Sequence, residues 1–340
     1  MSEEMKPLPL GKLDPEFLSE LIEKYTLNDD SIVIGPRIGI DATVIDQGDH
    51  YLIAKTDPIT FVADDIGYYA ININANDIAC MGGVPRWFLG TLLLPENETT
   101  VEMVRKIFSQ ISSACKERNI AFCGGHTEIT YGIDRPILVG QMLGIVKKNK
   151  LVKSQTACPG DVVIITKGIA IEAVSIIARE KEQELIKTFS QEFVEKCKNF
   201  IYDPGISVLQ DAQTAVAVGE VHAMHDPTEG GLAMGLYELA AATGCGIKVF
   251  EKEIPVLPEA KFLCDMYNLN ILGVIASGAL LIVVDRSKSH TLLTNLKERS
   301  ISARIIGKLM PSEYGIKLIK DEAEIPLPEF YQDEITQLFK

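Results

Sequence analysis

The strongest constraint on how this chain folds is a change of character at residues 147–155, a stretch with four lysines and little apolar content. On both sides of it, apolar runs of strand length alternate with longer segments of helical spacing. Before the break, strand-like runs cover residues 31–34, 42–45, 51–54, 87–94, 120–123 and 137–146. Helical patterns cover 15–25 and 64–81, and a third opens at Thr99, where Glu102 completes an S/T-x-x-E capping box. After it, strand-like runs at 161–166, 221–224, 247–250, 279–284, 303–309 and 316–319 mix with helical patterns at 172–181, 191–200, 208–218, 231–243 and 259–267. That mixture predicts an α+β chain of two domains, 1–150 and 151–340, rather than one doubly wound parallel sheet.

Composition narrows the function. With 340 residues and 46% hydrophobic content there is enough apolar material for two cores. A net charge of −14 argues against a general nucleic-acid or anionic-membrane binder, because no basic surplus exists to displace counterions. It leaves nucleotides open, since a metal ion and backbone N–H groups neutralise a polyphosphate locally. The apolar runs at 137–146 and 279–284 are too short to span a bilayer, and the first five residues are acidic, without an apolar signal core. The expected setting is the cytoplasm. None of the seven cysteines forms a C-x-x-C pair, so they read as reduced, buried small hydrophobes.

Five short segments could carry chemistry. Asn72, Asn74 and Asn76 interrupt an otherwise helical stretch, although asparagine is a poor helix former. Asn74 and Asp77 share a face there, aimed at a common locus or simply solvated. Lys55-Thr56-Asp57-Pro58 closes a strand, where Asp57 either reaches a ligand or starts a turn. Asp41 lies in a loop between Ile40 and the next strand. Gly124-Gly125-His126-Thr127-Glu128 follows a short strand and reads either as an anion nest with a candidate base or as a plain Gly-Gly turn. Asp226-Pro227-Thr228-Glu229-Gly230-Gly231 opens a helix, where N–H groups favour an anion or receive an ordinary cap. No Walker A loop and no dinucleotide-binding fingerprint occurs.

Taken in order, these segments resemble the superfamily of aminoimidazole ribonucleotide synthetase (PurM), thiamine-monophosphate kinase, selenophosphate synthetase and the hydrogenase maturation protein HypE, with the HypE branch most similar. The likeness rests on Gly39 to Val44, Thr56 to Ile59, Asn76 to Pro85, Gly124 to Glu128 and Asp226 to Ala233, supported by Pro159 to Gly168 and Ser277 to Leu280. The resemblance implies a two-domain PurM-like fold, with an N-terminal mixed-sheet dimerisation domain and a C-terminal α/β domain. It also implies ATP and Mg²⁺ in a cleft between them. Carried over by position, Asp41, Asp57 and Asp77 are the metal ligands. Asn76, Gly124, Gly125 and Asp226 are the nucleotide contacts. Read from the residues themselves, Lys55 and Thr127 are further candidate contacts, and His126 and Glu128 are the candidate catalytic residues.

Two departures qualify that picture. HypE proper ends in a cysteine that receives a carbamoyl group, whereas the last cysteine here is Cys264. Where HypE-like sequences often have Gly-Gly-Asp-Thr, this one has Gly125-His126-Thr127-Glu128. The expected function is an ATP- and Mg²⁺-dependent, HypE-like enzyme that activates an amide, carbonyl or phosphate oxygen by phosphorylation. The alternatives are a kinase similar to the thiamine-monophosphate enzyme and a non-catalytic ATP-binding assembly partner. The expected partners are ATP, a small-molecule or protein substrate and a second copy of the chain, with no nucleic acid and no membrane.

Overall fold

The computed structural model describes residues 8, 11, 13–37, 39–60 and 64–339. In the first half, α1 (Pro15–Tyr25) leads to β1 (Ile32–Ile34), β2 (Thr43–Asp46) and β3 (His50–Ile59). Then come α2 (Ile66–Cys80), β4 (Val84–Pro95), α3 (Val101–Glu117), β5 (Ala121–Thr130) and β6 (Ile137–Lys147). The six strands form one sheet in the order β1-β2-β3-β6-β4-β5, antiparallel except for the β4–β5 pair.

The second half runs β7 (Val162–Thr166), α4 (Ile171–Glu180), α5 (Glu182–Leu185), α6 (Gln191–Lys198), α7 (Leu209–Val218), β8 (Val221–His225) and α8 (Gly231–Thr243). It continues through β9 (Gly246–Phe250), α9 (Pro258–Met266), β10 (Leu281–Val284), α10 (Ser289–Glu298), β11 (Ala303–Met310), β12 (Ile316–Lys320) and β13 (Ala323–Pro326). Its seven strands form a second mixed sheet, ordered β13-β12-β9-β11-β7-β10-β8. The fold is α+β, with one mixed sheet in each half, as the alternation of strand and helix patterns implied.

Burial periodicity explains the layers. Every residue of β7 is buried, with Val163 and Ile165 in a cluster under α8 and Val162 and Ile164 in another under α7 and α10. A strand that feeds apolar side chains to both faces needs helices on both sides. In the first sheet the described residues cover only one face. Phe88, Leu92, Leu138 and Met142 point under α2 and are buried, while Leu89, Leu93, Val139 and Leu143 on the other face are half-buried. The expected helix over 64–81 is α2, but it has no solvated face. It is buried along nearly its whole length, between its own sheet and the second half.

The three asparagines exist for that burial. Asn72 accepts from Arg118 Nε, and Asn74 donates to Ala70 O at 2.9 Å in the space left by Gly140. Asn76 donates to Ile206 O at 2.9 Å and accepts from Val208 N at 2.9 Å. Its amide therefore closes a two-bond bridge between the halves. Lys167 grips the same loop from the far side, donating to Ser207 O at 2.7 Å.

Several boundaries differ from expectation. Thr100, not Thr99, caps α3, accepting from Met103 N at 3.1 Å, while the Thr99 hydroxyl turns back to Pro95 O. The strand expected to stop at 54 runs to Ile59. Pairing with β2 ends at Ala54, so Pro58, which lacks an N–H, lies where β3 is bonded only to β6. Cys123 and Cys158 are exposed rather than buried. Helix α10 and strand β13 were not anticipated.

Asn76→Leu should lower stability by roughly 2–4 kcal/mol, because it keeps the volume but strands one buried carbonyl and one buried N–H. The urea midpoint measures this, and a midpoint equal to the wild type would remove the bridge from the account.

Candidate active site

The site forms where α2 ends, between β3 of the first half and β8 of the second. Lys55 and Asp57 are two apart on β3, so both point to the α2 side of the sheet. Asp77, on the last turn of α2, meets them. Lys55 Nζ lies 3.4 Å from Asp77 Oδ1 and 3.6 Å from Asp57 Oδ2. Burial opposes the charge on Lys55, but Asp77, Asp57, Asp41 and Asp226 outweigh it and push its pKa above the ordinary lysine value.

Asp226 follows β8 directly. Burial, with Asp41 close by, raises its carboxyl to about 7, although His225, Lys55 and the Cys80 thiol act the other way. Cys80 Sγ donates to Asp226 Oδ1 at 3.4 Å. Burial likewise raises Asp77 well above the carboxylate range. Lys55 opposes that rise, and the other three aspartates reinforce it. Asp77 Oδ2 and Asp226 Oδ2 are both buried without a hydrogen-bond partner among the described residues.

Asp41 is reached through His225. The imidazole Nδ1 lies 2.8 Å from Asp41 Oδ1 and Nε2 lies 2.8 Å from Glu238 Oε2 on α8. With a carboxylate at each nitrogen, both must carry protons, so the ring is an imidazolium. Burial works against that charge, but Asp41 and Glu238 prevail and hold the histidine well above its ordinary pKa. The Asp41–His225–Glu238 chain is the second link between the halves.

A hard cation fits this donor set. Asp41, His225 and Asp226 have ligand atoms all within 4.8 Å of one another. Both His225 nitrogens are already spent on carboxylates, so the oxygens of Asp41, Asp57, Asp77 and Asp226 are the suitable ligands, and oxygen is what Mg²⁺ prefers. The two orphaned carboxylate oxygens are the groups such an ion would satisfy.

The structure thus brings Asp41, Lys55, Asp57, Asp77 and Asp226 to one place. It does not bring the rest. Asn76 engages both polar atoms of its amide with the loop at 206–208, which leaves one N–H of the amide for any further contact. Gly124 and Gly125 are not a turn but lie inside β5, the edge strand. A Cβ on Gly125 would fall 1.9 Å from Gly90 O, so this glycine is needed for close strand approach.

His126, Thr127 and Glu128 continue that edge strand. Two strands, β6 and β4, separate it from β3, which is about 14 Å at normal strand spacing. A bulge between Phe88 and Leu89 also shifts the register. Beyond it His126 pairs with Thr91 and Glu128 with Leu93, on the open face of the sheet, opposite Lys55 and Asp57. His126 and Glu128 pair with each other at 3.1 Å and are exposed. Within one chain they are not part of the aspartate cluster.

The helix start at Gly230-Gly231 also receives an internal partner. Gly230 N donates to Asp333 Oδ2 at 2.8 Å, and Asp333 Oδ1 accepts from Ile275 N and Ile335 N. Sequence reasoning missed His225, Glu238 and Cys80. A usable signal existed for Glu238, the one charged residue in the otherwise apolar α8.

Removing the imidazolium should be costly, since it leaves two carboxylates facing each other in a buried site. His225→Ala should lose about 3–5 kcal/mol of stability. Adding Asp41→Asn should recover at least about 1 kcal/mol of that loss. A denaturation-based double-mutant cycle measures the coupling, and strict additivity would contradict the bridge.

Comparison with known proteins matches this arrangement to a family. The model for AIR synthase related protein, N-terminal domain, matches residues 39–146, and that for the C-terminal domain matches 158–318. A putative hydrogenase expression/formation protein of Methanocaldococcus jannaschii is 27% identical over 319 residues, covering 90% of each chain. Carbamoyl dehydratase HypE of Escherichia coli is 28% identical over 293 residues, covering 82% of each. Among solved structures, a HypE–HypF complex superposes with a TM-score of 0.75 at 21% identity, covering 92% of this chain and 99% of that one. HypE in complex with ATP gives 0.72 at 21% identity (94% and 96% coverage), and AaThiL complexed with AMPPCP and TMP gives 0.74 at 20% (95% and 98%). These structural likenesses establish the fold. With both domain models matched across most of its length, the chain belongs to the AIR synthase related family, as a HypE-like member.

Proposed function

We propose that this chain is an ATP- and Mg²⁺-dependent enzyme that activates an amide, carbonyl or phosphate oxygen of its substrate by phosphorylation, in a role related to hydrogenase maturation. One observation carries the reading. Lys55 lies between Asp57 and Asp77, with Asp41 and Asp226 beside them and two buried carboxylate oxygens unsatisfied. Such a set binds a divalent cation and the polyphosphate it neutralises. The relatives named carbamoyl dehydratase and the HypE structure holding ATP support it.

Bound Mg²⁺ would supply charge neutralisation on the transferred phosphoryl group. The chain's own groups do the rest. Asp41, Asp57, Asp77 and Asp226 would hold the metal. The Lys55 ammonium, fixed between two carboxylates, is placed to orient a terminal phosphate oxygen. His225 holds Asp41 in position through its Nδ1 proton, and Glu238 holds the ring from the other side. Burial of the cluster keeps bulk water from the reacting phosphoryl group.

Asp57→Asn and Asp77→Asn should each weaken Mg²⁺-dependent ATP binding at least tenfold in calorimetry without loss of fold. For Asp77 the substitution removes a buried carboxyl, so unfolding is not the expected failure. Unchanged affinity in both variants would sink the assignment. The AaThiL complex with AMPPCP and TMP favours a second reading, a small-molecule kinase. It requires ADP formation that depends on an added phosphorylated small molecule, with label transferred to it. The HypE–HypF complex supports a protein as partner or substrate, and ATP binding without turnover would mark a non-catalytic assembly role.

The same reading includes a cytoplasmic homodimer. Among the described residues no helix is long and apolar enough to cross a membrane. The uncovered face of the first sheet carries Leu89, Leu93, Val139 and Leu143, which a second copy would bury, with His126 and Glu128 at the edge of the contact. Leu143→Glu should convert a dimer to a monomer by light scattering. A wild-type protein that is monomeric at micromolar concentration would overturn this part.

A further inference from the structure

A second polar locus lies beside the aspartate cluster and takes no part in the chemistry described so far. A cavity of about 80 Å³ opens at the junction of the end of β3, α2, α4, the loop after β8 and the closing turn at Glu334–Phe339. Three polar side chains in its wall are almost fully buried: Glu172 of α4 (5% exposed), Tyr69 of α2 (1%) and Ser277 (0%). Among the described residues no hydrogen bond of ordinary geometry reaches Glu172 Oε2, the Tyr69 hydroxyl or the Ser277 hydroxyl, although Ser277 stands near enough to Glu172, and Ser175 to Tyr69, to act on their acidities. Apolar side chains, among them Ile73, Ile176 and Ile335, complete the enclosure.

Buried polar groups are almost always hydrogen-bonded, and three such groups lining one cavity equip it to receive a polar group. Its chemistry follows from the walls. Burial raises the Glu172 carboxyl to about 8, Ser277 opposes that rise, and Glu229 and Asp333 add to it. No cation contributes to that balance. A carboxyl group and two hydroxyl oxygens offer acceptors to a compact donor, and an ammonium has three N–H bonds to give. The volume exceeds that of two waters, at about 30 Å³ each in the liquid, and suits a group of roughly four heavy atoms. The apolar remainder of the wall suits a short methylene chain.

We propose that this cavity is a binding site for the ammonium end of a small primary amine, with Glu172 as its counter-ion and Ser277 and Tyr69 as its neutral acceptors. The cavity wall includes Asp57 and Thr228, so an amine held there lies next to the aspartate cluster, where an acceptor substrate belongs. The site itself does not depend on the nucleotide reading and is tested without nucleotide, so either can fail alone.

The experiment titrates full-length protein at pH 7 with n-propylammonium chloride, with 1-propanol as neutral isostere and sodium chloride as ionic control, read by calorimetry and by thermal shift. Saturable binding of propylammonium is expected, at least tenfold tighter than 1-propanol, with the affinity reduced at least tenfold in Glu172→Gln. Ile176→Phe, which fills the cavity without touching the carboxyl group, should abolish binding and serves if Glu172→Gln fails to fold. Equal binding of 1-propanol, or no saturable binding, would refute the site. Wild-type affinity in Glu172→Gln with competition by Mg²⁺ would place the amine at the aspartate cluster and overturn the proposal equally.

Discussion

The organising constraint of this molecule is an excess of buried negative charge shared between its two halves. Asp41, Asp57 and Asp77 come from the first half and Asp226 and Glu238 from the second, and Lys55 and His225 lie among them in opposition. Their mutual repulsion would separate the halves if nothing else held them. Three polar links cross at this point: Asp41 through His225 to Glu238, Cys80 to Asp226, and Asn76 to the loop at Ile206–Val208. The apolar cluster that joins α2 to α4, α6 and α9 supplies the rest of the attachment. A ligand that relieves the charge at this seam acts on the joint as well as on the site.

Much of this was legible in the residues, and the limits follow from physics. Strand and helix periodicity placed the main elements, because alternation at two and at 3.6 residues reports burial directly. The aspartates, each of which read singly as an ordinary turn or surface carboxylate, stood out through the order of their segments and the family resemblance it carries, and the fold brings Asp41, Asp57, Asp77 and Asp226 together. Asn76 shows the opposite case. A polar residue in a helix signals an obligation to hydrogen-bond, but only the structure shows that the obligation is to backbone in the other half rather than to a ligand. His225 was hidden for a related reason. It looks like any strand-end histidine until Asp41 and Glu238, distant in sequence, are seen at its two nitrogens. The helix at Ser289–Glu298 escaped notice because its apolar face is short, with Leu292 and Leu296 carrying most of its burial.

The glycine-rich start of α8 makes a similar point about local signals. Exposed N–H groups at a helix N-terminus attract an anion, and the sequence advertises them clearly. The anion here belongs to the chain. Asp333 comes from about a hundred residues downstream to accept from Gly230 N, and burial raises its carboxyl to about 6 against the pull of its three backbone donors. Gly230 and Gly231 are also required sterically, because a Cβ on Gly231 would fall 2.5 Å from Val274 O. The motif is therefore a docking point for the C-terminal turn in the folded chain.

The bulge opposite Phe88 and Leu89 carries a consequence of its own. Strand residues point up and down by odd and even position, and one extra residue exchanges the two sets for everything that follows. Here that exchange turns His126 and Glu128 away from Lys55. Ironing out the bulge with Cys123 retained would set His126 opposite Leu92 instead of Thr91 and send the imidazole and carboxylate beneath α2, whereas deleting Cys123 would leave both where they are. Which side of the sheet this pair serves is thus an arithmetic property of the strand, independent of the two residues themselves.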